Sequence, residues 1–381
     1  MRIAILTGPF FGIPPAPCGA VERVWRDLAI EFVAKGHEVT VYTRAHESYR
    51  GDSYPFTLVQ IPGFSSTSNL RVNLIKDLVY TSKALLAIKK CDILVSNTFW
   101  LPVLKSLRRV AHQYHVHVQR VPKGQYRLYM KFPQDRFAAV SSAIKMFIDD
   151  ESPKAGALTE VFANPIDTNV FYLRKEKQEL GKSIQVVYTG RIHPEKGLVN
   201  LARAIRHLNK RGDHQYHLNL IGPWKVEDGG GGEKLVAALK SQLSDAELTL
   251  HDPIYDREQL AETISRFDLY VYPSVATKGE ASPVAPLEAM GLGMPVLVSN
   301  LPQFMDYLKE GKSGFVFDHE GRGAAKNLAK ALHSIVTMDS DHRWSVQKKA
   351  AATGQTFSNS AVADRYLEDF NRLLERSRGK T

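Results

Sequence analysis

Residues 2–42 read RIAILTGPFFGIPPAPCGAVERVWRDLAIEFVAKGHEVTVY, and three changes of pattern inside them decide the fold. Residues 2–6 are a short apolar run. Residues 8–19 are rich in Gly and Pro. Residues 21–34 then place apolar side chains at helical spacing until Gly36 stops them, and Val39, Val41 and Tyr42 begin a second apolar run. Strand, loop, helix and strand in that order make one βαβ unit, which requires the two strands to lie parallel with the helix crossing over them.

The alternation continues outward from this unit. Strands are predicted at 58–61, 93–96, 114–118, 137–140 and 161–163, with a helix across 72–88. The pattern restarts after the turn-forming run Asn164, Pro165, Ile166 and Asp167, with a strand at 184–188 and its helix at 198–208. Further strands are expected at 217–221, 248–251, 269–272, 296–299 and 314–317. A chain of 381 residues exceeds what one core usually supports, so the reading is α/β with two doubly wound domains. The expected boundaries are 1–168 for the first domain, 169–357 for the second, and 358–381 for a terminal helix that can pack back on the first. Gly229 to Gly232 are four glycines in a row, read as a mobile loop.

Composition excludes several classes. With 44% hydrophobic and 24% charged residues the chain reads as an ordinary soluble globular protein. The apolar run 3–6 is too short for a signal-peptide core, and no segment approaches the roughly 20 apolar residues that span a bilayer. Cys18 and Cys91 are the only cysteines, which excludes a disulfide framework or a cysteine-based zinc site, so a cytoplasmic location is expected. The net charge is +10, and the stretch from Arg71 to Lys131 accounts for all of it, with twelve Lys and Arg against Asp77 and Asp92 alone. Such a stretch suits an anionic membrane surface or an anionic acceptor, or is a solvated basic face. It lacks any recognised nucleic-acid module and interleaved stacking aromatics, so nucleic acid is not an expected partner.

Ligands of open α/β sheets bind beyond the carboxyl ends of the strands, which directs attention to three loops. Gly19 precedes the first helix and would let a phosphate approach unpaired backbone amides, although no G-x-G-x-x-G or P-loop pattern is present. Gly190, Arg191, Lys196 and Gly197 follow the strand at 184–188. Two cations at a helix start oppose the macrodipole, so an anionic ligand such as a diphosphate explains them better than two free surface charges do. The third loop carries Glu280 and, seven residues on, Glu288 in the first turn of a helix that Pro286 would initiate. The amides of Val284 and Ala285 at that helix start could hold a diphosphate while the carboxylates take hydroxyls; as an alternative reading, both glutamates are caps.

These segments together resemble glycosyltransferase family 4, the retaining enzymes of the GT-B fold. The likeness runs through Gly19-Ala20-Val21-Glu22-Arg23-Val24, Gly36-His37-Glu38-Val39-Thr40-Val41 and Asn164-Pro165-Ile166-Asp167. It continues through Thr189-Gly190-Arg191 and Glu195-Lys196-Gly197, and ends in the stretch from Glu280 through Glu288 to Val296. The resemblance implies two Rossmann-like domains facing across a cleft. It also implies a nucleotide-diphosphate sugar as donor and a saccharide or lipid-linked acceptor in polysaccharide or glycoconjugate synthesis; the basic stretch with Phe99, Trp100, Tyr126 and Tyr129 adds the expectation of a peripheral place on the inner face of the cytoplasmic membrane. By the resemblance, Arg191 and Lys196 bind the donor diphosphate, Glu288 takes the ribose, and Glu280 contacts the transferred sugar near its reacting carbon. A strand-terminal histidine bonds the donor sugar; His117 is the first choice for that role and His115 the second. Ala20 stands where the family usually has a second glycine, and Pro283 removes one amide from the donor loop. The implied chemistry uses fixed cations, and neither a metal nor another cofactor is expected; Asp339-Ser340-Asp341, a D-x-D pattern, is read as a helix cap. A sugar-nucleotide epimerase or hydrolase on the same fold is the competing activity.

Overall fold

The first apolar run becomes β1 (Arg2–Leu6), and its side chains alternate between two buried faces, the condition for a parallel strand covered by helices on both sides. Ile3 and Ile5 join a core with Trp25, Leu28 and Phe32 from helix Ala20–Ala34. Ala4 and Leu6 join the opposite core with Tyr80, Ala84 and Leu85 from helix Leu70–Ala87. The computed structural model describes residues 1–16, 18–50 and 53–378, and it divides into two units.

The first unit comprises Met1–Pro165 and the C-terminal helix Asn359–Arg378. Its other strands are β2 (Glu38–Arg44), β3 (Thr57–Ile61), β4 (Cys91–Ser96), β5 (Ala111–Val118), β6 (Arg136–Ala139) and β7 (Thr159–Val161). They pair in parallel in the order β3-β2-β1-β4-β5-β6-β7. Val362, Tyr366 and Phe370 of the C-terminal helix enter the core that Trp25 and Phe32 occupy. Each such fully buried aromatic contributes about 1.5–3 kcal/mol, so this helix is part of the unit's core and not an appendage. A buried ion pair fixes its register: Asp369 accepts Arg136 Nε at 2.9 Å and Nη2 at 2.7 Å.

The second unit, Ile166–Ser358, repeats the architecture. Its strands are β8 (Ser183–Thr189), β9 (Gln215–Ile221), β10 (Leu248–His251), β11 (Leu269–Tyr272), β12 (Val296–Ser299) and β13 (Phe315–Phe317). The order is β10-β9-β8-β11-β12-β13, all parallel. In both sheets the direction of winding reverses between the unit's first and fourth strands, β1 and β4 in one and β8 and β11 in the other. Those are the positions where the loops leaving the strands splay apart and leave room for a ligand. Among the described residues no helix is long and apolar enough to cross a membrane.

Candidate functional site

In the second unit every site residue read from the sequence sits at the switch point. Arg191 and Lys196 follow β8, and Glu280 and Glu288 follow its neighbour β11. Lys196 ends the short turn Pro194–Lys196, and Gly197 then adopts φ 68° to start helix Leu198–Asn209. A Cβ on Gly197 would stand 2.0 Å from the carbonyl oxygen of Pro273, so glycine is needed both for the turn and for the approach of the two loops. That approach buries Lys196 and Glu280, each 5% exposed, against one another, with Nζ to Oε1 at 2.5 Å. Only Arg191 keeps its side chain about half exposed, and it is held by Glu195 at 2.9 Å.

The loop between β11 and the next helix is pinned from behind. Gln303 Nε2 donates to the carbonyls of Thr277 (2.9 Å) and Glu280 (3.1 Å), and Tyr307 OH donates to that of Pro283 (3.0 Å). Helix Ala285–Gly291 follows, with Val284 as its cap position, Pro286 in its first turn and Glu288 half-buried. The site groups act electrostatically on one cluster of buried tyrosines. Burial drives the Tyr270 phenol above its ordinary range, a hydrogen bond with Thr189 opposes the rise, and Glu288 and Glu280 add to it. Burial, Tyr270 and Glu280 likewise raise Tyr188, while Arg191 lowers it. The Lys196 ammonium also lies 5.5 Å from the centre of the Tyr272 ring. Arg191 and Lys196 both face Glu195 Oε1, at 2.9 and 3.9 Å, and Lys196 continues to Glu280, so two cations and two carboxylates form one chain of charges, a setting suited to an anion flanked by hydroxyls.

Gly229 to Gly232 do not form the mobile loop that four glycines suggested. Gly231 N–H donates to Ile192 O and Gly232 N–H to Trp224 O, both at 2.8 Å, and Gly229 O accepts Arg191 Nη1 at 3.1 Å. Glycine is used there for close packing, since a Cβ on Gly230 would fall 2.2 Å from the Trp224 backbone. Asp339 caps helix Ser340–Gln355 by accepting the His342 N–H at 2.9 Å. Among the described residues no group of three or more His, Cys, Asp or Glu could hold a metal ion.

The first unit has a cavity of about 460 Å³ at its own switch point, lined by the loops after β1, β4 and β5. His117, near the end of β5, reaches it, and its Nδ1 lies 2.7 Å from Asn97 Oδ1. Asn97 Nδ2 donates to Leu6 O, which turns Oδ1 toward the imidazole. The same imidazole Nδ1 lies 3.0 Å from the Trp25 indole nitrogen, and Nε2 lies 3.3 Å from Gln119 Nε2, so both ring nitrogens are already engaged within the protein. The Trp25 indole N–H, 2.9 Å from the same Oδ1, shares that acceptor. Burial and the nearby His115 push His117 down to about 3, so it stays neutral. His115 is different. It is fully buried, with Nε2 3.3 Å from Asp369 Oδ2, and serves the ion pair that seats the C-terminal helix. At Gly19 the amide offered to a phosphate already donates to Glu22 Oε2 at 3.1 Å.

Sequence reading gave no role of their own to Glu195, Glu22 and Asp77, and did not single out Gln303 or Asn97. Asn97 directly follows the last residue of β4, so the strand-end rule could have drawn it out. No local signal marks Gln303, whose partners lie more than twenty residues away in the chain, and Asp77 joins the near Thr81 to Trp100, 23 residues on.

The family model described as Glycosyl transferases group 1 matches residues 171–352, and that described as Glycosyltransferase Family 4 matches residues 21–170. WcaL of Escherichia coli strain K12, named as a glycosyltransferase of colanic acid biosynthesis, is 24% identical over 195 residues, 50% of this chain and 45% of that protein. The chain spans about half the length of the curated relatives it matches. Sucrose-phosphate synthase from Thermosynechococcus elongatus superposes with a TM-score of 0.77 at 18% identity, covering 99% of this chain and 100% of that one. HepE of Anabaena, solved in complex with UDP-glucose, gives a TM-score of 0.71 at 19% identity, covering 98% of this chain and 100% of that one. At these identities the two solved structures establish a shared fold, two Rossmann-like domains of the GT-B type.

Proposed function

This chain belongs to glycosyltransferase family 4, and from that premise we propose that it transfers a sugar from a nucleotide-diphosphate sugar to a saccharide or lipid-linked acceptor in polysaccharide synthesis, with retention and without a metal. The observation that carries the reading is the buried Lys196–Glu280 pair at the switch point of the second unit, with Arg191 acting on Tyr188 and Glu288 on Tyr270 while Glu280 acts on both. The structure of HepE in complex with UDP-glucose supports a sugar nucleotide as the donor class.

In this reading the diphosphate takes Lys196 from Glu280 as a shared partner, and Arg191 supplies a planar fork from the solvent side. Glu280, freed of part of its pairing, accepts from hydroxyls of the transferred sugar, and Glu288 accepts from the ribose. The bond between the anomeric carbon and the phosphate oxygen breaks, and its electron pair stays on the diphosphate, where Lys196 and Arg191 stabilise it. The acceptor oxygen forms the new bond on the same face and gives its proton to that phosphate oxygen, so configuration is retained. His117, a neutral imidazole on the wall of the first unit's cavity, is suited to exchange a hydrogen bond with a sugar hydroxyl that displaces Gln119 from Nε2.

We extend the reading to a peripheral association with an anionic membrane. Its support is helix Leu70–Ala87, whose solvent side exposes Val72, Ile75, Val79 and Leu86 next to Lys76 and Lys83. Flotation with vesicles of anionic and of zwitterionic lipid tests this part, and equal recovery in both removes it. The transfer itself is tested by incubating nucleotide sugars with and without a saccharide acceptor in chelator. Product with unchanged anomeric coupling by NMR is expected. Rapid donor turnover without acceptor would favour hydrolysis or epimerisation, and a requirement for added metal would remove the metal-free mechanism.

A further inference from the structure

The basic stretch and the cavity of the first unit point to different ligands. Of the twelve cations between Arg71 and Lys131, Arg120 alone is among the described residues lining the cavity, and its side chain is exposed. The ionisable side chains buried in its wall are Glu22, Asp77 and His117, each more than nine-tenths buried. None of the three offers a cation. His117 is neutral, and its two ring nitrogens are engaged by Asn97, Trp25 and Gln119, so it adds no charge to the wall. The Gln119 amide nitrogen beside it, which could have donated, is spent on Asn164 Oδ1 at 2.7 Å and on His117 Nε2 at 3.3 Å. Asp77 Oδ1 accepts the Trp100 N–H and the Thr81 hydroxyl, which sets the Phe99–Trp100 turn and with it the Phe99 ring on the cavity wall. Tyr126 and Tyr129 add aromatic surface to the same wall.

A concave, acceptor-rich wall with aromatic faces is complementary to a ligand that donates hydrogen bonds and has apolar ring faces. It repels a ligand that brings a second negative charge, since like charges brought together in a desolvated place cost several-fold to many-fold in affinity. From this we propose that the cavity receives the terminal residue of the acceptor, and that this residue is an uncharged glycosyl unit donating hydroxyls, not a phosphorylated or carboxylated sugar. The inference rests on the transferase reading and narrows its acceptor class. The cations outside the cavity then serve the surface that carries the acceptor, and the reacting sugar itself is neutral. Burial raises the Asp77 carboxyl to about 6, against hydrogen bonds from Trp100, Phe99 and Thr81, so the wall loses charge as the pH falls through that value.

The test uses the full chain and two matched sets of probes: methyl glycosides of glucose, galactose and mannose, and the 6-phosphates of the same hexoses. Binding is read by saturation-transfer NMR and titration calorimetry above pH 7. At least one methyl glycoside is expected to bind at least about tenfold more tightly than its phosphate. Asp77→Asn narrows that ratio; lowering the pH to about 5 narrows it more in the native chain than in Asp77→Asn, because the 6-phosphates lose part of their own charge over the same range in both, whereas only the native wall also loses that of Asp77. Should Asp77→Asn not fold, Glu22→Gln and the pH series carry the same comparison. Equal or tighter binding of the phosphates, a ratio indifferent to both variants and pH, or no binding of any glycoside would overturn the inference. The same samples are titrated with UDP, GDP and ADP. A diphosphate that binds while the phosphates outcompete the glycosides refutes the acceptor class alone, whereas no diphosphate binding refutes the transferase reading beneath it.

Discussion

Replacing Asp369 with alanine should unseat the C-terminal helix from the first unit. The carboxylate is fully buried, takes both Nε and Nη2 of Arg136, and lies 3.3 Å from His115 Nε2. Removing it strands a guanidinium that is 5% exposed. Deleting one partner of a buried pair costs about 3–5 kcal/mol, because the remaining charge keeps its desolvation penalty without its attraction. Glu160 at 3.6 Å and the Leu158 carbonyl still contact Arg136, which places the expected cost near the lower end, about 3 kcal/mol. The assay is urea unfolding, with hydrogen exchange followed on peptides from β5, β6 and the C-terminal helix so that the two units are read separately. The pH dependence has a definite sign. Burial pushes Asp369 up, but hydrogen bonds from His115 and Arg136 prevail and hold it below the usual carboxylate range. A depressed carboxyl stabilises fully above its unfolded value, about 3.9, and loses that contribution as the pH falls through its folded value. The gap between the native protein and the variant should therefore be level from about pH 5 to 8 and close only in stronger acid. A cost under about 1 kcal/mol, or a gap that already closes near pH 6, would refute the reasoning.

Three further outcomes follow from the site geometry. Gly197→Ala must hold φ 68° and place a methyl 2.0 Å from Pro273 O, so beyond the roughly 1–2 kcal/mol of backbone strain it should separate the two donor loops and abolish the thermal shift given by nucleotide diphosphate. Lys196→Met should lower kcat/KM by about 10²–10³, as removing one preorganised charge stabiliser does, and because it strands the buried Glu280 carboxylate it should also cost about 3–5 kcal/mol of stability without ligand, so the rates are compared on protein shown to be folded. His117, held down to about 3, should contribute no inflection to the rate profile near pH 6.5. Its unfolded form does bind a proton below about 6.5, so native stability falls as the pH drops from there toward 3, and His117→Gln should flatten that slope when unfolding is measured across the range.

The fold was largely legible because parallel strands buried on both faces read as continuous apolar runs, as residues 2–6 and 184–188 do, and because the intervening helices carry their own stops. The strand-end rule located Arg191, Lys196, Glu280 and Glu288, since position after a strand is a local property. Their pairing was not legible: the Lys196–Glu280 contact joins groups 84 residues apart. The same holds for His115 and His117, two residues apart on one face of β5. They differ only because Asp369, 233 residues from the Arg136 it binds, stands over the first, and Asn97 meets the second. The four glycines at 229–232 misled because composition reports freedom in the unfolded chain, whereas their packing against Trp224 and Ile192 uses the missing side chain for close approach.

The central claim is that Arg191, Lys196, Glu280 and Glu288 hold a nucleotide-diphosphate sugar. A thermal-shift panel of nucleotide diphosphates and their sugars, on the native chain and on Glu288→Ala, tests it most directly. At a ligand concentration about a hundred times Kd, the midpoint should rise by an amount equivalent to about 2.7 kcal/mol for one base in preference to the others, and the rise should shrink in the variant. No rise with any nucleotide, or an equal rise in both proteins, would contradict it.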